Sequence, residues 1–209
     1  MKYLRHVMSA FALTLLGQTT MAAVVDFEDV SVPGAVILEP TITSGGFQFT
    51  GTAATGDVMG VYNDADANVC GGGCVFNGTQ SLVLYNGDQT GPFEGVMSRL
   101  GGGAFDLLSF HTTTLFPNVP PAGTTLEVIG TLAAGGTVQQ TFAFDSIPDN
   151  FQTETLTGFT SLSSVLFRSN LQWPVLDNIV VTIPEPGSLV FMSLGLGFVG
   201  LGLGRRRKA

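Results

Sequence analysis

Thr125-Leu126-Glu127-Val128-Ile129-Gly130-Thr131-Leu132, then Ala133-Ala134-Gly135-Gly136, then Thr137-Val138-Gln139-Gln140-Thr141-Phe142-Ala143-Phe144 is the stretch that decides the fold. Two β-rich runs flank four small residues, and the two glycines can take the positive φ that a tight loop needs. In the first run Leu126, Val128 and Gly130 share one face against Thr125, Glu127 and Ile129, the period of a half-buried strand. The second run alternates less cleanly, with Val138, Gln140 and Phe142 against Thr137, Gln139 and Thr141. The spacing predicts a β-hairpin.

Outward from the hairpin, short runs of the same kind recur between clusters of Gly, Pro, Asn and Asp. They are Ala35–Leu38, Phe47–Thr50, Val58–Tyr62, Ser81–Tyr85, Phe105–Phe110, Phe151–Leu156, Ser164–Arg168 and Asn178–Ile183. No window of ten or more residues outside the chain ends carries a helical stripe, and no repeat of solenoid period is present. Ten short strands with tight turns predict an all-β domain, a two-sheet β-sandwich of jelly-roll type.

The ends read differently. Lys2 and Arg5 precede an apolar core from Val7 to Leu16, and Thr20-Met21-Ala22 offers small residues for cleavage, so residues 1–22 read as a signal peptide. At the other end Pro184-Glu185-Pro186 precedes an uncharged run from Gly187 to Gly204, followed by Arg205-Arg206-Arg207-Lys208. As a helix the run spans about 27 Å, close to the hydrocarbon thickness of a bilayer. The four cations hold their side cytoplasmic and place everything before Pro184 across the membrane. The β-sandwich ectodomain is therefore expected over residues 23–183. Six glycines in the run weaken the helix, as suits a removable anchor.

This three-part tail resembles the PEP-CTERM sorting signal of Gram-negative bacteria. The resemblance implies recognition by a membrane protease of the exosortase type and cutting near Pro184–Pro186. It further implies a transient inner-membrane stage with the ectodomain periplasmic, and then release or transfer to the cell surface or extracellular polysaccharide matrix. An ordinary single-pass anchor is the plainer alternative.

Charge narrows the partners. Fifteen of the sixteen acidic residues fall between Asp26 and Asp177, where Arg99 and Arg168 are the only basic ones. Such a surface excludes nucleic acid and anionic lipid as partners and suits divalent cations. Cys70 and Cys74 face each other across three glycines, and behind a signal peptide the expectation is a local disulfide. Asp64, Asp66 and Asn68 start like a calcium loop, but Val69 and Val75 stand where it needs Gly and Glu, so an acidic solvated loop is expected. Asn77-Gly78-Thr79 reads as a turn.

Little supports catalysis. His111 is the only histidine of the ectodomain and lies in no nucleophile motif. Trp173, Tyr62 and Tyr85 either stack on sugar rings or pack. The expectation is a non-catalytic exported protein. A carbohydrate-binding module is the first alternative and would need a groove of exposed aromatics. A secreted hydrolase is the second, and would need two carboxylates about 5–9.5 Å apart.

Phe27-Glu28 near the start and Asp177-Asn178-Ile179 near the end resemble the end motifs of jelly-roll carbohydrate-binding modules, which share a structural calcium. The resemblance implies calcium held by Glu28 and Asp177. Asp26 and Asp106 are the next ligands expected, with backbone carbonyls completing the shell. Acids capping turns are the plainer alternative.

Overall fold

The two-residue alternation becomes strands wherever the sequence predicts them, and three further strands join them. The computed structural model describes residues 20–52, 58–63, 74–75, 77–85, 92–116, 123–144, 151–170 and 173–184. Among these the elements are β1 (Thr20–Val25), β2 (Val36–Glu39), β3 (Thr41–Ser44), β4 (Phe47–Gly51), β5 (Val58–Tyr62), β6 (Ser81–Tyr85) and β7 (Phe93–Arg99). They continue with β8 (Asp106–Thr114), β9 (Thr125–Leu132), β10 (Thr137–Ala143), β11 (Gln152–Thr155), β12 (Leu162–Ser169) and β13 (Pro174–Pro184). No described residue is helical, and no described helix could cross a membrane. The proposed signal peptide up to residue 19 and the segment 187–204 lie outside the described residues.

The strands form two antiparallel sheets. Sheet A runs β11-β8-β13-β6-β5-β2, with β1 also on β13, and sheet B runs β10-β9-β12-β7-β4-β3. Their facing sides make the core. Phe110 of sheet A meets Phe142 and Phe167 of sheet B edge-on, at 5.5 and 5.6 Å between ring centroids. Edge-to-face pairs of this kind add to the area they bury. Phe27 and Phe49, and Phe47 and Phe105, close another part of the same layer at 5.1 Å each. This is a β-sandwich.

The expected hairpin is β9 and β10, in register from Thr125↔Ala143 to Thr131↔Thr137. Leu126 and Val128 are fully buried, and Gly135 and Gly136 take φ of 94° and 89° in the loop. Gly95 explains why the sequence does not predict β7, since a glycine between Phe93 and Met97 looks like a break. In the fold that glycine is required: a Cβ there would come within 2.8 Å of Leu84 Cδ2 and 3.1 Å of Met59 Sδ from the opposite sheet. β3 escapes prediction because it is a short polar edge strand behind Pro40, and β1 because it begins inside the segment that reads as a leader.

Pairing between β8 and β13 contains two offsets. From Asp177↔His111 to Val180↔Ser109 the extra residue lies in β13, and from there to Val181↔Leu107 it lies in β8. Residues 22–182 form one compact unit; residues 1–21 and 183–209 group separately, and only the outermost ends of β1 and β13 are described there.

Candidate functional site

The middle strands of sheet A depart from alternation. β6 is buried at four successive positions and β13 at its first four, although an antiparallel sheet with one wet face should alternate. A second layer therefore covers the outer side of sheet A. Its centre is Val83, Leu115 and Val175, with Tyr62, Cys74, Phe116, Phe151 and Trp173 packed against it. Trp173, held at a φ of 59°, lies parallel to Tyr85 with centroids 6.2 Å apart and meets Phe116 at 4.8 Å. Burial, and then the neighbouring Tyr85, pushes the Tyr62 hydroxyl above its ordinary range. Trp173 Nε1 is buried without a hydrogen-bond partner. The large apolar side chains exposed among the described residues are Met21, Val24, Val36, Leu38, Leu100 and Leu108, none of them aromatic. The rings pack a satellite core; they do not form an open shelf.

Beside this layer lies Asp177, fully buried. Its Oδ2 accepts from Asn77 Nδ2 at 2.6 Å, Thr79 Oγ1 at 3.0 Å and Asn178 Nδ2 at 3.1 Å, and its Oδ1 accepts from the Asn178 N–H at 2.7 Å. Burial raises its carboxyl above the usual range; the bonds from Asn77, Asn178 and Thr79, and the proximity of His111, pull the other way without overcoming it. Asn178 has a φ of 47° and lies 3.4 Å from His111 Nδ1 through its amide nitrogen.

The segment gripped by Asp177 is gripped again from the N-terminal end. Glu28 Oε1 accepts the Gln80 N–H at 2.6 Å, while Asp26 Oδ1 caps the Glu28 N–H at 3.3 Å. The next acid, Asp29, accepts from Ser44 Oγ at 2.6 Å and the Gly45 N–H at 3.0 Å. Burial pushes its carboxyl up, but the bonds from Ser44, Gly45 and its own N–H outweigh that and hold it below the ordinary range. Glu28 and Asp177 thus converge on residues 77–80 from opposite ends of the sequence. Asn77 Oδ1 also closes its own turn onto the Thr79 N–H at 3.1 Å.

Asp106 is not brought to this place. It pairs with Thr182, five positions along β8 from the His111 that faces Asp177. Both its oxygens are engaged there, Oδ1 by the Ser161 N–H at 2.7 Å and Oδ2 by Thr182 Oγ1 at 2.9 Å. The sequence suggests a ligand because an acid at a strand start looks free; the topology uses it as a clasp. Among the described residues no group of three or more His, Cys, Asp or Glu side chains gathers as a metal cage. A buried oxygen that the sequence does not point to is that of Gln80, whose Oε1 has no donor. An amide oxygen in that state suits a hard cation. Cys74 packs on the satellite layer; Cys70, Asp64, Asp66 and Asn68 lie outside the described residues.

Sheet B faces outward with a different set. Arg168 lies between Glu94 and Glu127, hydrogen-bonded to both, and Gln139 and Thr52 extend the row to either side. Glu94 first, and then Glu127, keep the guanidinium charged beyond its ordinary range.

Residues 182–208 match the family model described as the PEP-CTERM protein-sorting motif. The tail is a PEP-CTERM sorting signal. It marks an exported protein sorted through a membrane-anchored C-terminal step. A search of curated proteins finds no match to the chain. Among solved structures, a DUF4465 family protein from Bacteroides ovatus ATCC 8483 is similar at 9% identity and TM-score 0.44, over 78% of this chain and 99% of that one. The tandem CBM22-1–CBM22-2 domain of Paenibacillus barcinonensis Xyn10C matches at 14% identity and TM-score 0.42, over 82% and 50%. TmCBM61, solved with β-1,4-galactotriose, matches at 9% identity and TM-score 0.39, over 68% and 90%. Nothing about ligand or activity transfers at these levels.

Proposed function

We propose that the chain is a non-catalytic, exported cell-surface or extracellular-matrix protein, cut by an exosortase-type protease and delivered to extracellular polysaccharide as a compact jelly-roll-like module. The sorting motif, which begins within the last residues of β13, carries this reading. A hydrolase is disfavoured because Glu94 and Glu127, the carboxylates that share a cation, are both engaged by Arg168, not set as a free acid and base across a cleft. Asp177 has a raised pKa but no path to substrate, being fully buried. The carbohydrate-binding-module alternative calls for exposed aromatics, and the described rings are packed instead.

A structural calcium is part of the proposal. Glu28 and Asp177 would hold it, with the buried Gln80 Oε1 as a neutral oxygen ligand and Asp26 at the rim. Its role would be to neutralise the buried carboxylate and pin residues 77–80 between the two chain ends. The Cys70–Cys74 disulfide belongs to the same proposal as a local tether of the satellite layer.

Intact-mass measurement of the mature protein from a host with the sorting system, without reductant, tests the reading. Both ends should be gone, the C-terminus should fall near Pro184–Pro186, and the mass should be lower by the two thiol hydrogens. Recovery of a surface form still carrying Arg205–Lys208 would leave only a plain membrane anchor.

A further inference from the structure

We infer that the sandwich itself sets the upstream limit of C-terminal processing, through a clasp between Asp106 and Thr182 that closes one residue short of the Pro184-Glu185-Pro186 tripeptide. This rests on the sorting reading and goes beyond it, because a sequence motif alone does not say how far into the domain a protease can reach.

β13 is an interior strand of sheet A: β8 lies along one side from Pro174 to Thr182, and β6 and β1 lie along the other. Its inward side chains Leu176, Ile179 and Val181 are fully buried. Thr182 is the last residue in register with β8, and its hydroxyl donates to Asp106 Oδ2 at 2.9 Å. The other oxygen of Asp106 accepts the Ser161 N–H at 2.7 Å, which ties the acceptor to a second segment. Only Ile183 separates this clasp from Pro184.

A protease takes its substrate as an extended segment, and a residue paired on both sides must first leave its sheet. Up to Thr182 that means opening an interior strand. Ile183 and Pro184 continue β13 beyond its last β8 partner, so opening the strand there no longer means parting it from β8. The enzyme must therefore work against the face of the folded sandwich or peel the final residues of β13 loose. In either case the mature protein keeps Thr182, and Asp106 and Thr182 are positioning residues for a cut they never touch.

The experiment uses the full chain, purified with its tail in mild detergent and treated briefly with subtilisin, the cut positions being read by mass. In wild type, cuts at or after Ile183 should precede any cut between Asp177 and Thr182 by a factor of about ten or more. Thr182→Val keeps a β-branched residue in the strand and removes only the hydroxyl; it should narrow that gap about fivefold, as loss of one hydrogen bond would. Asp106→Asn, which retains an acceptor oxygen, should restore most of it relative to Asp106→Ala. Should Asp106→Ala fail to fold, Thr182→Val still decides the question. Wild-type cleavage within 177–182 as fast as beyond Ile183, or a Thr182→Val pattern identical to wild type, overturns the inference. If a host leaves Arg205–Lys208 in place but the subtilisin boundary holds at Ile183, the sorting reading fails and the clasp stands. If the host trims the tail but the boundary is absent, the reverse is true.

Discussion

The two sheets share one core and turn opposite characters outward. β4 and β7 of sheet B alternate buried and half-exposed residues as a strand with one wet face should, and β7 carries Glu94 of the Glu94–Arg168–Glu127 row. β6 and β13 of sheet A are buried on both faces, under the satellite layer and around the fully buried Asp177. The difference teaches where this domain invests its loops. Sheet B needs none, because water satisfies its outer face. Sheet A draws residues near both chain ends, and from segments at 74–75, 115–116, 151 and 173, over its outer face.

On that contrast, the largest effect should follow from removing the indole ring packed against the centre of the layer. Trp173→Ala should destabilise by about 3 kcal/mol, the cost of emptying a packed aromatic site. Trp173→Phe, which also removes the unpartnered Nε1, should cost far less. Chemical denaturation of both variants reads this out. A loss under about 1 kcal/mol for Trp173→Ala would mean that the ring is a free platform, and would return the sugar-stacking reading to the front.

Next in size is the buried carboxylate. Because burial raises its folded pKa, Asp177 contributes stability that is full below the unfolded value and is lost as pH rises through the folded one. Without metal, the melting-temperature gap between wild type and Asp177→Asn should therefore move in wild type's favour as pH falls from neutral toward 4. Asp29 has the opposite sign, its contribution being lost on acidification, but it is common to both proteins and cancels in the comparison. Calcium should reverse the direction for Asp177, since the bound cation favours the ionised form. At about 100 times its dissociation constant it should stabilise wild type by about 2.7 kcal/mol, roughly 5–10 °C in melting temperature. A wild-type melt indifferent to EDTA and to calcium would leave Asp177 a hydrogen-bonded latch without a metal.

The smallest effect belongs to sheet B. Arg168 is 43% exposed at its side chain, so Arg168→Met should cost under about 1 kcal/mol, and less still in molar salt. A salt-insensitive loss of several times that size would show the outer face of sheet B to be as firmly tied into the fold as that of sheet A.

The sequence was legible where period and turn chemistry act locally. The β9–β10 hairpin, β5 and β6 come out with their observed bounds or within a residue of them, because each is a short β-rich run closed by small or polar residues. It was illegible where a distant partner decides. Gly95 looks like a break until Leu84 and Met59 are seen against it. Asp106 looks like a ligand until Thr182 and Ser161 are found on it. Nothing near Asn77, Thr79 or Gln80 announces that residues 26–29 and 177 will meet there; only the turn at Asn77 was visible. Strand order within each sheet was equally out of reach, since neighbours such as β8 and β13 lie far apart in the chain.

The two offsets between β8 and β13 are equal and opposite, one extra residue in each strand, so the ladder slips and recovers within a few pairs. The slip delivers Ile179 fully into the core and leaves Leu108 turned out to water at 39% exposure. It also lets Asp177 keep its place beside His111 while Thr182 reaches Asp106. The two bulges behave as a matched pair of gear teeth. Removing one residue from either strand alone would throw every later side chain to the wrong face, whereas shortening both together would keep latch and clasp in phase. The lengths of two segments some seventy residues apart in the chain are thus a single heritable quantity.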